Sequence, residues 1–288
     1  MLFRSQDPQA RNVIPPGRLA SDYREFLPPA ALREHVLCLW TQSIQPVATA
    51  YAHRVLPDAC VDLVFFQGQP PAVIGPWTES FVARLAPGTR ITGARFYPGK
   101  AAAILGLPAL ELANQQAEIG NVWNAAARAP FASVGEQPTF RGSRFALEAA
   151  LLRHMRKIAS ADSTIGAAIQ WIARHPGAHV EELSEFAGIS SRQMQRRFSA
   201  AVGYGPKMFQ SILRFQRLLY FASINVRERG LAELAADAGY ADQSHMTREV
   251  QRFAGKSPGD LLPSAGCALK LADFLAPYDD GEAVDSAA

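Results

Sequence analysis

VEELSEFAGISSRQMQRRFSAAVGYGP, residues 180–206, and LAELAADAGYADQSHMTREVQRFAGKSP, residues 231–258, are two versions of one pattern. Val180, Glu182, Leu183 and Gly188 recur as Leu231, Glu233, Leu234 and Gly239, an offset of 51. Met194, Arg196, Gly203 and Pro206 recur as Met246, Arg248, Gly255 and Pro258, an offset of 52. The extra residue falls in the turn after the glycine, where an insertion is tolerated best. An internal repeat with one slip at a turn describes one supersecondary unit used twice.

Each unit reads as a helix, a turn carrying a glycine, and a second helix. In the first copy Val180, Leu183, Phe186 and Ala187 recur at helical spacing and form one apolar stripe. Gly188 ends that helix, because glycine takes the positive φ of a helix C-terminus without a Cβ clash. Ser190 or Ser191 can cap the next helix by accepting from an orphan N–H. Met194, Phe198, Ala201 and Val202 mark its buried side, while Arg192, Gln195, Arg196 and Ser199 share the opposite face. In the second copy Met246, Val250 and Phe253 face inward, Asp242 is the cap, and Gln243, Ser244, Thr247, Arg248 and Gln251 lie outward.

This is the pattern of a helix-turn-helix, whose second helix enters the DNA major groove. Arginine can donate twice to guanine and glutamine can bond bidentately to adenine. A plain helical hairpin with a solvated polar face is the competing account of either copy alone; two copies with the same outward chemistry weigh against it. The region from about 165 to 262 resembles the two-motif DNA-binding domain of AraC/XylS-type transcriptional regulators. The resemblance rests on LSEFAGIS-x-RQMQRRF, on G-x-G-P at residues 203–206, on Arg214, and on residues 233–258. Tyr240 and Met246 stand where that family usually has phenylalanine, and Val250 replaces another aromatic. The resemblance implies double-stranded DNA as partner. It implies base reading by Arg192, Gln195 and Arg196 from one helix and by Gln243, Ser244 and Arg248 from the other, with Ser199 and Thr247 on the same faces. RNA polymerase is a further candidate partner.

Between the units, PKMFQSILRFQRLLYFAS (residues 206–223) places Phe209, Ile212, Leu213, Phe215, Gln216, Leu219 and Tyr220 around much of a helix. Such a helix is buried between two partners. It fixes the separation of the units, and successive major-groove segments lie about 34 Å apart along the duplex.

Outward from this region the chain is less explicit. Its 288 residues suit about two domains. The net charge of +3 is too small to argue for nucleic acid by itself, so placement of the charges carries that reading. No apolar run approaches the roughly 18 residues of a membrane helix, and the first residues lack the apolar stretch of a signal peptide; a cytoplasmic protein is expected. Cys38, Cys60 and Cys267 give neither a disulfide framework nor metal-ligand spacing, the six histidines are scattered, and no metal or cofactor is expected.

The expected organisation is a flexible 1–26, a sensor or dimerisation domain over 27–159, a DNA-binding domain over 160–263, and an acidic, disordered tail over 264–288. The fold class is α+β: a β-rich N-terminal domain with trailing helices, then an all-α domain of two helix-turn-helix units joined by a linker helix. Strand formers occupy 36–44, two runs around Pro57-Asp58, 72–77, and two runs joined at Pro87-Gly88 as a hairpin would join them. Helical patterns follow at 99–107, 121–127 and 143–158. RVLPDACVDLVFF (54–66), IGP (74–76) and ARFYPGKAAAILGLPALEL (94–112) resemble a poorly characterised domain fused to AraC-type regulators. That resemblance implies a sensory or dimerising role.

Trp40, Phe65, Trp77, Phe81 and Phe96 are candidate walls of an effector pocket, with Asp62 or Arg95 as its polar group. Core aromatics and an internal salt bridge at Asp62 are the plainer account of the same residues. Arg95 precedes a Pro-Gly helix start that can present N–H groups to an anion. The helix at 143–158 either pairs with a second copy, making a homodimer, or packs on the β domain. Against the DNA-binding regulator stand two alternatives: a protein-interaction module, and a DNA-repair enzyme fused to such a domain. Cys38 and Cys60 lack the activating base a nucleophile needs, so no catalytic residue is expected.

Overall fold

Strand β7 (Arg90–Phe96) is the spine of the N-terminal half, paired on both edges in the computed structural model. The structure describes residues 21–46, 50–156, 158, 161–225 and 230–262. Among the described residues the strands are β1 (Ser21–Phe26), β2 (Val36–Ile44), β3 (Tyr51–Val55), β4 (Val61–Phe66), β5 (Ala72–Ile74), β6 (Phe81–Leu85), β7 and β8 (Gln116–Glu118). Six form one antiparallel sheet in the order β1-β2-β7-β4-β5-β8; β3 and β6 form a separate ribbon.

The alternation of each strand sends its residues to two different cores. On one face Leu39, Leu63, Phe65, Ala94 and Phe96 meet α1 (Ala101–Leu105), α2 (Ile119–Val122), α3 (Ala125–Arg128), the turn at Ala129–Phe131 and the long helix α4 (Phe140–Met155). On the other, Cys38, Trp40, Val64, Phe66 and Ile91 pack under Tyr51, Ala83 and Leu85 of the ribbon. Trp40 lies directly over Gly93, where a Cβ would come within 2.3 Å of the indole.

Two expectations are corrected here. Residues 21–26, assigned to a flexible start, are a strand paired along its whole length with β2; SDYREF is polar because an edge strand buries few of its side chains. The runs flanking Pro87-Gly88 are not hairpin partners: β6 pairs with β3, and β7 pairs with β2 and β4. The turn there is a corner between two layers, as is the Pro57-Asp58 turn between β3 and β4. Helix α4 turns Leu147, Ala150 and Leu151 onto the sheet, the packing role of the two offered for it. The expected tail at 264–288 and Cys267 lie outside the described residues.

The C-terminal half is helical: α5 (Ser163–Arg174), α6 (Val180–Phe186), α7 (Ser191–Val202), α8 (Pro206–Asn225), α9 (Leu231–Ala238), α10 (Gln243–Ala254) and α11 (Pro258–Leu261). The fold is α+β, as the sequence predicts. One core joins the two units through α8, whose Phe209, Ile212, Phe215, Leu218 and Ala222 are fully enclosed. The repeat is visible in the backbone. Gly188 and Gly239 both end first helices with positive φ, at 63° and 88°, and Gly203 and Gly255 do the same after the second helices, at 105° and 64°. Phe186 departs from the expected stripe. It is 54% exposed and stacked on Trp171 at 6.0 Å, while Leu183 and Ser184 take the buried places in the short α6.

Candidate nucleic-acid interface

Helices α7 and α10 are the second helices of the two units, and local chemistry fixes where each begins. Ser190 Oγ accepts from the Gln193 N–H at 3.3 Å and Gln193 Oε1 accepts from the Ser190 N–H at 3.2 Å, a reciprocal cap. Asp242 Oδ1 accepts from the His245 N–H at 2.7 Å. Each helix then commits one face to the core: Met194, Phe198 and Val202 in α7, and Met246, Val250 and Phe253 in α10, are buried to within 1%.

That commitment leaves Arg192, Gln195 and Arg196 exposed on α7, and Gln243, Ser244 and Arg248 exposed on α10. Ser199 and Thr247 are half-buried and bonded along their own helices. Gln195 Nε2 donates to Ser199 Oγ at 3.4 Å, and Thr247 Oγ1 donates to the Gln243 carbonyl at 2.8 Å. Helix α7 contains no acidic residue. The single acid of α10, Glu249, turns inward and pairs with Arg214 of α8 at 3.4 Å. The outward faces of both helices are therefore basic and polar without a competing carboxylate, although residues 160–263 hold twelve basic side chains against ten acidic ones.

Two arginines beside these faces have structural posts that side-chain type alone did not reveal. Arg197 is tied to Asp162, the cap of α5, at 2.7 Å. Burial raises the Asp162 carboxyl, but hydrogen bonds from Arg197 and from two backbone amides outweigh it and hold the group below its ordinary range. Arg214 also donates to the Pro176 carbonyl at 3.3 Å and to Ser211 Oγ at 3.1 Å, locking α8 to both units.

The residues expected to form one effector pocket are separated. Trp40, Asp62 and Arg95 belong to the ribbon-facing side of the sheet, whereas Phe65 and Phe96 belong to the helix-facing side. Asp62 is consumed internally: it accepts from Arg95 Nε at 3.1 Å, from Arg95 Nη2 at 3.0 Å and from Trp40 Nε1 at 3.2 Å. Arg95 also reaches Asp58 at 3.4 Å. The anion site suggested at the Pro-Gly start does not form, because α1 is only five residues long and Arg95 is already paired. Trp77 meets Phe81 in a tilted ring pair with centroids 4.2 Å apart, and Phe81 lies against the ribbon-facing core that holds Trp40.

A different cleft of about 790 Å³ opens where the β4–β5 turn meets α2, α3 and the following turn. Phe65, Pro70, Pro71, Phe131, Arg128 and Glu136 are among its walls. Of the seven candidate pocket residues it contains Phe65 alone, and the proline and arginine of its rim follow no helix or strand period that would mark it in the sequence.

Cys38 and Cys60 are buried and form no disulfide among the described residues. Burial, reinforced by Asp58, pushes the Cys60 thiol well above its ordinary value, the reverse of what activates a nucleophile. Among the described residues no group of three His, Cys, Asp or Glu side chains is arranged to hold a metal ion, and no helix is long and apolar enough to cross a membrane.

Comparison with known proteins divides the chain along the same line. Residues 183–263 match a helix-turn-helix domain family, and residues 24–118 match a domain of unknown function (DUF6597). Over 103 residues the chain is 31% identical to a putative AraC-like transcription regulator of Streptomyces antibioticus, covering 35% of this chain and 33% of that protein. Over 79 residues it is 32% identical to the HTH-type transcriptional regulator RipA of Corynebacterium glutamicum, covering 27% and 23%. The chain thus spans a third or less of the length of these curated relatives. Among solved structures, a probable AraC family transcriptional regulator from Rhodopseudomonas palustris aligns at 22% identity over 37% of this chain and all of that one, with a TM-score of 0.32. ToxT from Vibrio cholerae aligns at 9% identity over 84% and 97%, with a TM-score of 0.39. Residues 183–263 are thus a match to a helix-turn-helix domain, and residues 24–118 a match to a domain of unknown function on its N-terminal side.

Proposed function

We propose that this chain is a transcription regulator that binds double-stranded DNA by placing α7 and α10 in successive major-groove segments on one face of the duplex. The observation that carries this reading is the repeat in three dimensions. Two caps, two buried stripes and two left-handed glycine stops present Arg192, Gln195 and Arg196, and Gln243, Ser244 and Arg248, on two helices held by one linker. Arginine and glutamine are the side chains that discriminate guanine and adenine by paired hydrogen bonds. Selection of binding sites from a random duplex pool by the full chain tests it. Enrichment of one motif with two parts whose centres are about 10 base pairs apart supports it. A chain that enriches nothing, and whose retention of DNA is indifferent to salt, is a protein-interaction module instead, since phosphate contacts lose affinity steeply as salt rises.

The cleft at the β4–β5 turn is the place we assign to an effector. Apolar walls with a few polar groups at the rim are the ordinary makeup of a small-molecule site. Phe65→Trp, which fills the cleft from one wall, is expected to abolish the response to any effector found by ligand screening while leaving DNA binding by the free protein in place; an unchanged response removes the cleft from consideration.

A further inference from the structure

The C-termini of both recognition helices end against one short loop of the N-terminal half, residues 75–80. Helix α10 leaves its last carbonyls without intrahelical donors, as any helix does. Two of them are satisfied from outside: the Ser80 N–H donates to the Phe253 carbonyl at 2.8 Å, and Arg54 Nη1 donates to the Ala254 carbonyl at 3.1 Å. Arg54 Nη1 lies 3.2 Å from Ser80 Oγ as well, so the two donors form one clamp. A cation here also complements the negative end of the helix dipole. At the other end of the loop, Pro76 abuts Gly203, the left-handed residue that stops α7. A Cβ at Gly203 would come within 2.4 Å of Pro76 Cγ.

The loop between these two contacts is itself anchored. The Gly75 N–H donates to the Gln115 carbonyl at 2.9 Å and the Asn114 N–H donates to the Pro76 carbonyl at 3.1 Å. Asn114 Oδ1 accepts from the Thr78 N–H at 2.7 Å and from the Thr78 hydroxyl at 3.0 Å. Asn114 holds φ at 55°, a left-handed conformation that asparagine tolerates better than most residues. Gly75 is enclosed so closely that a Cβ would meet the Leu112 carbonyl oxygen. None of these loop residues is among the side chains that the DNA-binding reading assigns to base contact.

We infer that loop 75–80 is a brace that sets the separation and relative orientation of α7 and α10, with Arg54, Ser80 and Asn114 as positioning residues. The spacing of the two recognition helices is then fixed at two places: at their bases by α8, and at their C-terminal ends by the N-terminal domain. The second half of the inference, that the brace sets which spacing of DNA half-motifs is accepted, rests on the proposed DNA-binding function; the first half does not.

The test is therefore run first without DNA. Spin labels are attached at Arg192→Cys and Gln251→Cys in the full chain carrying Cys267→Ser, and the inter-label distance distribution is measured. The unaltered brace is expected to give one narrow distribution. Asn114→Gly, which keeps the left-handed backbone accessible but removes both bonds to Thr78, and Arg54→Ala are each expected to broaden or displace it. Arg54→Lys, which retains the cation, restores it. A distribution unmoved by Asn114→Gly and Arg54→Ala, in proteins whose circular dichroism matches the parent, overturns the brace; a purely structural role would shift the melting temperature and leave the distances alone. With a selected duplex, the parent is expected to discriminate against one inserted base pair between half-motifs by about tenfold, on the scale of a typical mismatch penalty, and the variants by less. Loss of all duplex binding by the parent counts against the DNA reading, while the distance measurement still decides the brace.

Discussion

Arg196 and Arg197 are neighbours in sequence with different posts in the structure. Arg196 points away from the core with no acidic partner on its helix, and Arg197 is bound to the cap of α5. Arg196→Ala and Arg248→Ala are each expected to cost about 1–3 kcal/mol at one base position and to relax specificity there, as read by binding to a panel of single-base variants. Equal loss across the whole panel reassigns the arginine to phosphate. Arg197→Ala is expected to leave the panel's rank order intact and lower the unfolding midpoint instead. A second residue-scale consequence concerns pH. Burial, with Arg95 nearby, lowers His53 to about 4. Its unfolded value is near 6.5, so above that pH neither state binds the proton and the stability is intact. As pH falls from about 6.5 toward 4 the unfolded state takes up a proton that the folded state refuses, and stability drops. Denaturant midpoints at pH 7 and pH 5 should differ less for His53→Gln than for the parent; equal differences contradict the assignment.

At the scale of elements, the helices were legible because their signals are local. A cap, a stripe at helical spacing and a glycine stop all lie within about a dozen residues, and Ser190, Met194, Phe198 and Gly203 supply them in order. Met194 is fully buried, so Met194→Asp is expected to cost more than about 4 kcal/mol by burying a charge with no partner, measured as loss of the cooperative melt. The strands were only half legible. Their existence follows from composition, but their partners do not, because Pro87-Gly88 reads the same whether it closes a hairpin or turns a corner between layers. Strand parity held information that aromatic content obscured. Asp62 and Phe65 are three apart and Arg95 and Phe96 are adjacent, so the period of two puts them on opposite faces of one sheet. Gly93 makes a sharper element-scale test. Gly93→Ala pushes a methyl into the Trp40 ring and is expected to cost about 1–3 kcal/mol, seen as a lowered melt with a shifted tryptophan emission; an unperturbed melt means the indole has room to move.

At the scale of the whole molecule, the two halves are joined by contacts that sequence periodicity cannot announce. Gln216, buried in α8, donates to the Pro57 carbonyl at 2.6 Å, and Ala59, held at a φ of 63°, sits in the helical core. These contacts lie far apart along the chain and involve single residues in turns, so no stripe or repeat leads to them. They make the N-terminal domain part of the geometry that holds α7 and α10. The central claim is that these two helices read two major-groove segments of one duplex. It is tested most directly by guanine-N7 methylation interference on a selected duplex, with the full chain bound. Two patches of interference on one face, centred about 10 base pairs apart, are expected, with the first lost on Arg196→Ala and the second on Arg248→Ala. A single patch, or two patches indifferent to both substitutions, contradicts the account.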